Sequence, residues 1–380
     1  MWIDKRILIF ALLIVVVSCS TNEIENFPKD DETAVLEFTG ITDKVVVLND
    51  TFGETEIVVA GNAIDLFIVS FKRKLNQDVL QFRQTDSSLP IIMEDNEGNE
   101  WDIFGKCVSG ARKDQQLESI HSVMGYWFSI GTFFPGAEIY LNNDKSDFLG
   151  EVIRGTGDWL IPHKEIFSGG VGKDGIPAIS NPQFSTSNTY HLLFDDDLVL
   201  GIQVDNLLKA YPHPVLDWHE IVNDELSDTK YSIVYCPLTG TGTAWNREIN
   251  GTVTSFGVSG FLYNSNILPY DRLTGSNWSQ LVDRAVEGNL QGKVPEKIML
   301  VETKWETWKK MYPHSEVQNF NTGYNRSYKM YPYGTYRRKE ELLFPVKYND
   351  ERLPSKERVH AVIIEERARV YRFSDFYTEK

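Results

Sequence analysis

The sequence has little cysteine, little positive charge and no apolar run long enough to span a membrane. Three cysteines in 380 residues, none in a Cys-x-x-Cys pair, exclude a disulfide-built scaffold and a thiolate zinc framework. Lys and Arg number 38 against 54 Asp and Glu, a formal charge of −16. A surface this acidic repels phosphate backbones, which argues against nucleic acid as a partner. A membrane-spanning helix needs about 20 apolar residues, and no stretch supplies them. Nucleotide and hydrolase motifs are incomplete. Gly169-Gly-Val-Gly172-Lys173 is followed by Asp174 where a phosphate loop needs Ser or Thr. Gly257-Val-Ser259-Gly260 is one residue short of a nucleophile elbow.

Aromatic residues are plentiful: 9 Trp, 17 Tyr and 21 Phe, a bias toward strands and broad packed surfaces. At the N-terminus Lys5 and Arg6 precede the apolar run Ile7 to Val17, the pattern of a signal peptide. Val16-Val17-Ser18-Cys19 resembles a lipobox, so residues 1–18 are expected to be removed and Cys19 acylated. The expected partner at this end is the membrane, reached through a lipid anchor. Residues 19–35 are polar and read as a flexible tether. Ser20 in place of Asp directs the expectation to the outer membrane of the cell envelope.

From Ala34 onward, β-branched runs such as Val45-Val46-Val47-Leu48 and Ile57-Val58-Val59 alternate with Asn, Asp and Gly turns, which are strand signals. An internal repeat follows. Gly98-x-x-Trp101 recurs as Gly275-x-x-Trp278, Gly110 as Gly288, and Trp127 with Phe134-Pro135 as Trp305 with Tyr312-Pro313. A second echo links Val199-x-x-Ile202-x-Val204 and Tyr211 to Val359-x-x-Val362-x-Ile364 and Tyr371. Each copy reads as a hairpin, the later one returning the C-terminus to close a sheet. Thr303-Lys-Trp-Glu306 has the spacing of a capping box before a short helix. The expectation is a β-dominated α+β protein of two related lobes from a diverged duplication, with hairpins and short helices. Residues 36–165 form the N-terminal lobe and 166–380 the C-terminal lobe.

Chemistry-bearing residues crowd into Asp217 to Gly260. Pro214 can open a short helix that places His219 on its apolar face, with Glu220 beside it. Cys236 ends a strand before Pro237, and Gly240 and Gly242 follow. A thiol at a strand end, a glycine turn with free N–H groups and a neighbouring imidazole are the parts of a nucleophile, an oxyanion hole and a base. The competing reading makes Cys236 a small buried hydrophobe and His219 a core residue. A soft-metal site is the third: His213, His219 and Cys236 would suit copper or zinc, although their spacing matches no ligand motif. Asn264, Asn266 and Asp271 are polar enough to line a cleft. Cys107 and Cys236 allow a single disulfide.

The runs LKAYPHPVLDWHEIVND, YCPLTGTG, FGVSGFLYNSN, YDRLTGSNW and RLPSKERV resemble the bacterial and archaeal family known as domain of unknown function 3179. The resemblance implies an extracytoplasmic, often lipid-anchored protein without an assigned activity. It marks Tyr211, His219, Glu220, Asn223, Asp224, Cys236, Gly240, Ser259, Asn264, Asn266, Asp271 and Trp278 as motif positions. It also implies an apolar residue at position 213 in many members, which counts against His213 as a ligand. Three functions remain open: a thiol-dependent enzyme using Cys236, His219 and Glu220; an envelope lipoprotein binding a small molecule or a metal; and a structural or protein-interaction lipoprotein.

Overall fold

The computed structural model describes residues 44–141, 155 and 157–377. The expected signal peptide, Cys19 and the tether lie outside the described residues. The described residues pack as one compact unit. Strands dominate, and the α-helices among the described residues are short, at seven residues each.

The chain begins with an antiparallel meander of β1 (Val46–Phe52), β2 (Thr55–Asn62) and β3 (Phe67–Lys72). β4 (Ser122–Tyr126) then runs directly into α1 (Trp127–Phe133), and β5 (Glu138–Ile139) follows. A hairpin of β6 (Leu198–Val204) and β7 (Leu207–Pro212) leads into α2 (His213–His219). A second meander comes next, β8 (Ile221–Leu226), β9 (Thr229–Cys236) and β10 (Thr241–Asn246). The hairpin of β11 (Phe256–Tyr263) and β12 (Asn266–Asp271) precedes β13 (Leu300–Lys304), α3 (Trp305–Met311) and β14 (Glu316–Gln318). The last hairpin is β15 (Arg358–Ile364) and β16 (Arg367–Arg372). Its turn residues Glu365 and Glu366 both have positive φ (50° and 62°), as a two-residue type I′ turn requires.

The duplication expected from the sequence is present throughout. One sheet has the order β5-β16-β15-β4, and another contains the matching run β14-β7-β6-β13. The first pair of each run is parallel and the others are antiparallel. The meander β1–β3 corresponds to β8–β10. The same side chains pin both. Asn49 brackets the backbone of Phe82 at 2.7 and 2.9 Å, and Asn223 does the same to Phe256 at 2.9 and 2.7 Å. Arg73 reaches Leu80 O and Asp50 O; Arg247 reaches Thr254 O and Asp224 O. Asp95 accepts the Trp101 indole N–H at 3.1 Å, and Asp271 that of Trp278 at 3.2 Å.

The first lobe is completed by the end of the chain, since β15–β16 supplies the hairpin that β6–β7 supplies in the second. Contacts between lobes are reciprocal. Lys304 N–H donates to Asp65 O at 3.2 Å, and its counterpart Tyr126 N–H donates to Thr239 O at 2.8 Å. Such isologous contacts define a pseudo-twofold axis.

The two copies solve the same packing problem with different volumes. In the second, Gly201 on β6 lets the Trp308 ring of α3 approach so closely that a Cβ there would lie 1.9 Å from it. In the first, Ala361 and the smaller Ile130 share one core cluster. The helix at Trp305 forms as expected, but its capping box does not. The N-cap is Lys304, without a side-chain cap. The Thr303 hydroxyl instead donates to Asp65 O at 2.7 Å, tying the helix to the other lobe.

Candidate functional site

The residues singled out in the sequence are buried. α2 carries Pro at its first turn, as expected, and ends on His219. His219 Nδ1 lies 2.7 Å from Pro177 O and Nε2 lies 2.8 Å from the Tyr328 hydroxyl. A carbonyl only accepts, so Nδ1 carries the proton and Nε2 accepts from Tyr328. Burial lowers the His219 pKa, which keeps the ring neutral. Glu220 turns the chain out of the helix at φ 59°. Its buried carboxyl is pushed up to about 8, with Tyr333 Oη donating to Oε1 at 3.4 Å.

Cys236 closes β9. Its thiol donates to Ser265 O at 3.6 Å and is pushed up to about 11, by burial first and by Glu220 second. That shift opposes a thiolate nucleophile at neutral pH. The N–H of Gly240 is consumed by a 2.8 Å bond to Cys236 O, so it does not offer an oxyanion donor. Cys236 and Cys107 are free thiols, and no disulfide joins them.

Cys236 and His219 have no hydrogen-bond partner in common among the described residues. One segment nevertheless covers both. Tyr328 caps His219, Tyr333 caps Glu220, and Tyr331 and Tyr336 donate to Pro237 O and Leu238 O at 3.1 and 3.0 Å. Farther along, Phe344 O accepts from Ser265, and Lys347 N–H donates to Asn264 Oδ1.

The expected cleft-lining residues are held in fixed networks. Asp224 receives Tyr211 Oη at 2.6 Å and Lys209 Nζ at 2.9 Å; Asp50 receives Tyr371 and Arg369 in the same way in the first lobe. Asn223 and Asp271 with Trp278 also have counterparts there. A bonding pattern made twice, once in each lobe, serves the shared fold. Ser259 Oγ donates to Leu268 O at 2.5 Å, and Asn266 binds Thr239, Thr241 and Gln280. Among the described residues no group of three or more His, Cys, Asp and Glu is placed to hold a metal. The copper or zinc set is therefore not assembled: His213 faces Glu302 at 3.2 Å, while His219 and Cys236 are engaged as described.

An open cavity of about 300 Å³ lies elsewhere, between the lobes. It is lined from β3, β4, β6, β10, β13 and β15 and from residues 119–121 and 297–299. Nearly every lining residue has its repeat counterpart in the lining too, which puts the cavity on the pseudo-twofold axis. The two sides differ in chemistry. Ser70, Glu302 and His360 correspond to Ala244, Met124 and Leu200. One corner is polar and its mate is apolar.

The polar corner is built from buried groups. Ser70 Oγ lies 3.0 Å from His360 Nε2. Burial pushes His360 down to about 3, so it is neutral, and its Nδ1 has no partner. Glu302 is 5 % exposed. Burial opposes its charge, but Arg358 and His213 hold its carboxyl below the usual value. Arg358 pairs with Oε1, and Oε2 faces His213 Nε2 at 3.2 Å. At the exposed mouth Lys297 pairs with Asp283 at 2.5 Å.

The family profile described as "Protein of unknown function (DUF3179)" matches residues 20–137 and 173–380. The chain belongs to this family. No curated protein and no solved structure matches it. Both segments of the DUF3179 match contribute to the axial cavity.

Sequence reasoning passed over the polar corner. The signals were a carboxylate, Glu302, following the apolar run Met299-Leu300-Val301, and Arg358 and His360 at and just beyond the end of the RLPSKERV run.

Proposed function

We propose that this protein is a cell-envelope lipoprotein that binds a small molecule in the cavity on its pseudo-twofold axis. The observation that carries this reading is the cavity's asymmetry. A duplication starts with identical halves, and a purely structural seam has no need of one polar and one apolar corner. Buried polar atoms without partners are costly unless water or a ligand satisfies them. The lipid anchor is supported by the Lys5-Arg6 start, the Ile7–Val17 run and Cys19. The net charge of −16 argues against nucleic acid as the ligand.

The test is a thermal-shift screen of the full-length protein against a chemically diverse small-molecule panel, beside a Ser119→Trp variant that plugs the mouth. Stabilisation seen in the wild type and lost in the variant supports the reading. Identical shifts in both refute it.

A gated thiol enzyme is the second reading, favoured by the single tyrosine-rich segment over His219, Glu220 and Cys236. Displacing that segment would uncover all three together. Iodoacetamide labelling of Cys236 decides it: fast native labelling at neutral pH, slowed in His219→Ala, supports gating, and labelling only on unfolding excludes it.

A further inference from the structure

Resting on the binding reading above, the geometry points to a specific class of ligand for the axial cavity. We infer that it is a small uncharged amphiphile, an aliphatic body with one hydroxyl or primary-amide head, whose head bonds to His360.

Size comes first. A cavity of about 300 Å³ sits at the lower end of small-molecule sites. At about 30 Å³ for each water-sized group, it holds roughly ten non-hydrogen atoms.

Charge comes next. Every ionised group found at the cavity already has an opposite partner within the protein. Glu302 pairs with Arg358, and Lys297 with Asp283. His121, 3.8 Å from Asp283, is kept neutral by burial, as is His360. A ligand bringing net charge would find no free counter-charge there, and the desolvation of its charge would go uncompensated.

Hydrogen bonding then sets the head group. The polar atom left without a partner in this corner is His360 Nδ1; Glu302 Oε2 faces His213 Nε2 at 3.2 Å. A hydroxyl or primary amide complements His360 Nδ1 in either tautomer, because each carries both a donor and an acceptor. The body of the ligand is set by Ala244, Met124 and Leu200. No Trp, Tyr or Phe lines the cavity, so it lacks the flat ring on which a sugar or an aromatic ligand would stack.

The experiment uses four six-carbon probes that differ only in head group: 1-hexanol, hexanamide, hexylamine and hexanoate. Each is titrated at neutral pH into the full-length protein in nonionic detergent, with detergent-only controls, and followed by saturation-transfer NMR and thermal shift. Hexanol and hexanamide are expected to bind, the charged pair much more weakly. His360→Ala should weaken the neutral probes about tenfold, as for one neutral hydrogen bond, and Ser119→Trp should abolish them. If hexylamine or hexanoate binds as well as hexanol and is blocked by Ser119→Trp, the cavity is a binding site but the uncharged class is wrong. If no probe binds, or Ser119→Trp changes nothing, the inference falls together with the binding reading.

Discussion

Replacing Glu302 by Met, the residue its counterpart Met124 already is, tests the polar corner as a unit. The substitution removes the carboxylate and leaves Arg358 without its partner. Breaking a buried ion pair from one side costs about 3–5 kcal/mol, because the surviving charge stays desolvated. The Arg358 side chain is 20 % exposed, so water offsets part of that, and about 3 kcal/mol is expected. The double variant Glu302→Met, Arg358→Leu copies both first- and second-lobe counterparts, Met124 and Leu198, and removes both charges. Exchanging a buried pair for apolar residues is often neutral or stabilising, so the double variant should recover most of the loss. Urea denaturation followed by tryptophan fluorescence gives the three free energies, provided the transitions stay two-state. A double variant no more stable than Glu302→Met would refute the idea that an unpaired Arg358 causes the loss.

Three further expectations follow from particular residues. Gly201→Ala places a methyl carbon against the Trp308 ring and should destabilise the fold by about 1–3 kcal/mol; Trp308→Ile in the same chain, imitating Ile130, should restore part of it. Glu220, raised to about 8 in the folded chain, stays protonated where the unfolded chain has already lost its proton. Its contribution to stability is therefore lost as pH rises from its ordinary value of 4.5 toward 8. Glu220→Gln should flatten the stability profile in that window, by on the order of 1 kcal/mol per pH unit; an unchanged slope in urea titrations would contradict the assignment. Cys19→Ser should abolish incorporation of labelled palmitate in cells, and retained label would remove the lipid anchor.

The fold was legible in the sequence wherever local chemistry repeats. Gly98-x-x-Trp101 and Gly275-x-x-Trp278 share a spacing because each Trp indole must reach an aspartate on the preceding strand. The Val199 and Val359 runs share a spacing because both build the same hairpin. The candidate site was less legible for a related reason. Tyr211, Asn223, Asp224, Asp271 and Trp278 look chemically loaded when one copy is read alone. Set beside Tyr371, Asn49, Asp50, Asp95 and Trp101, they are the fastenings of a repeated scaffold. The axial cavity draws its walls from strands scattered between residues 68 and 360, and Ser70, Glu302 and His360 fall in three separate stretches of the sequence. Thr303 misled for the same kind of reason, since its hydroxyl is taken by a carbonyl that sequence order places far away.

The C-terminal hairpin has a consequence for how the molecule is made. Its residues 358–372 fill the gap between β4 and β5, whose ladders otherwise present open edges. A nascent chain therefore cannot seal its first lobe until residues 358–372 have been made. Such late closure leaves the edges of β4 and β5 unpaired until then. It also makes any truncated translation product a ready substrate for proteolysis.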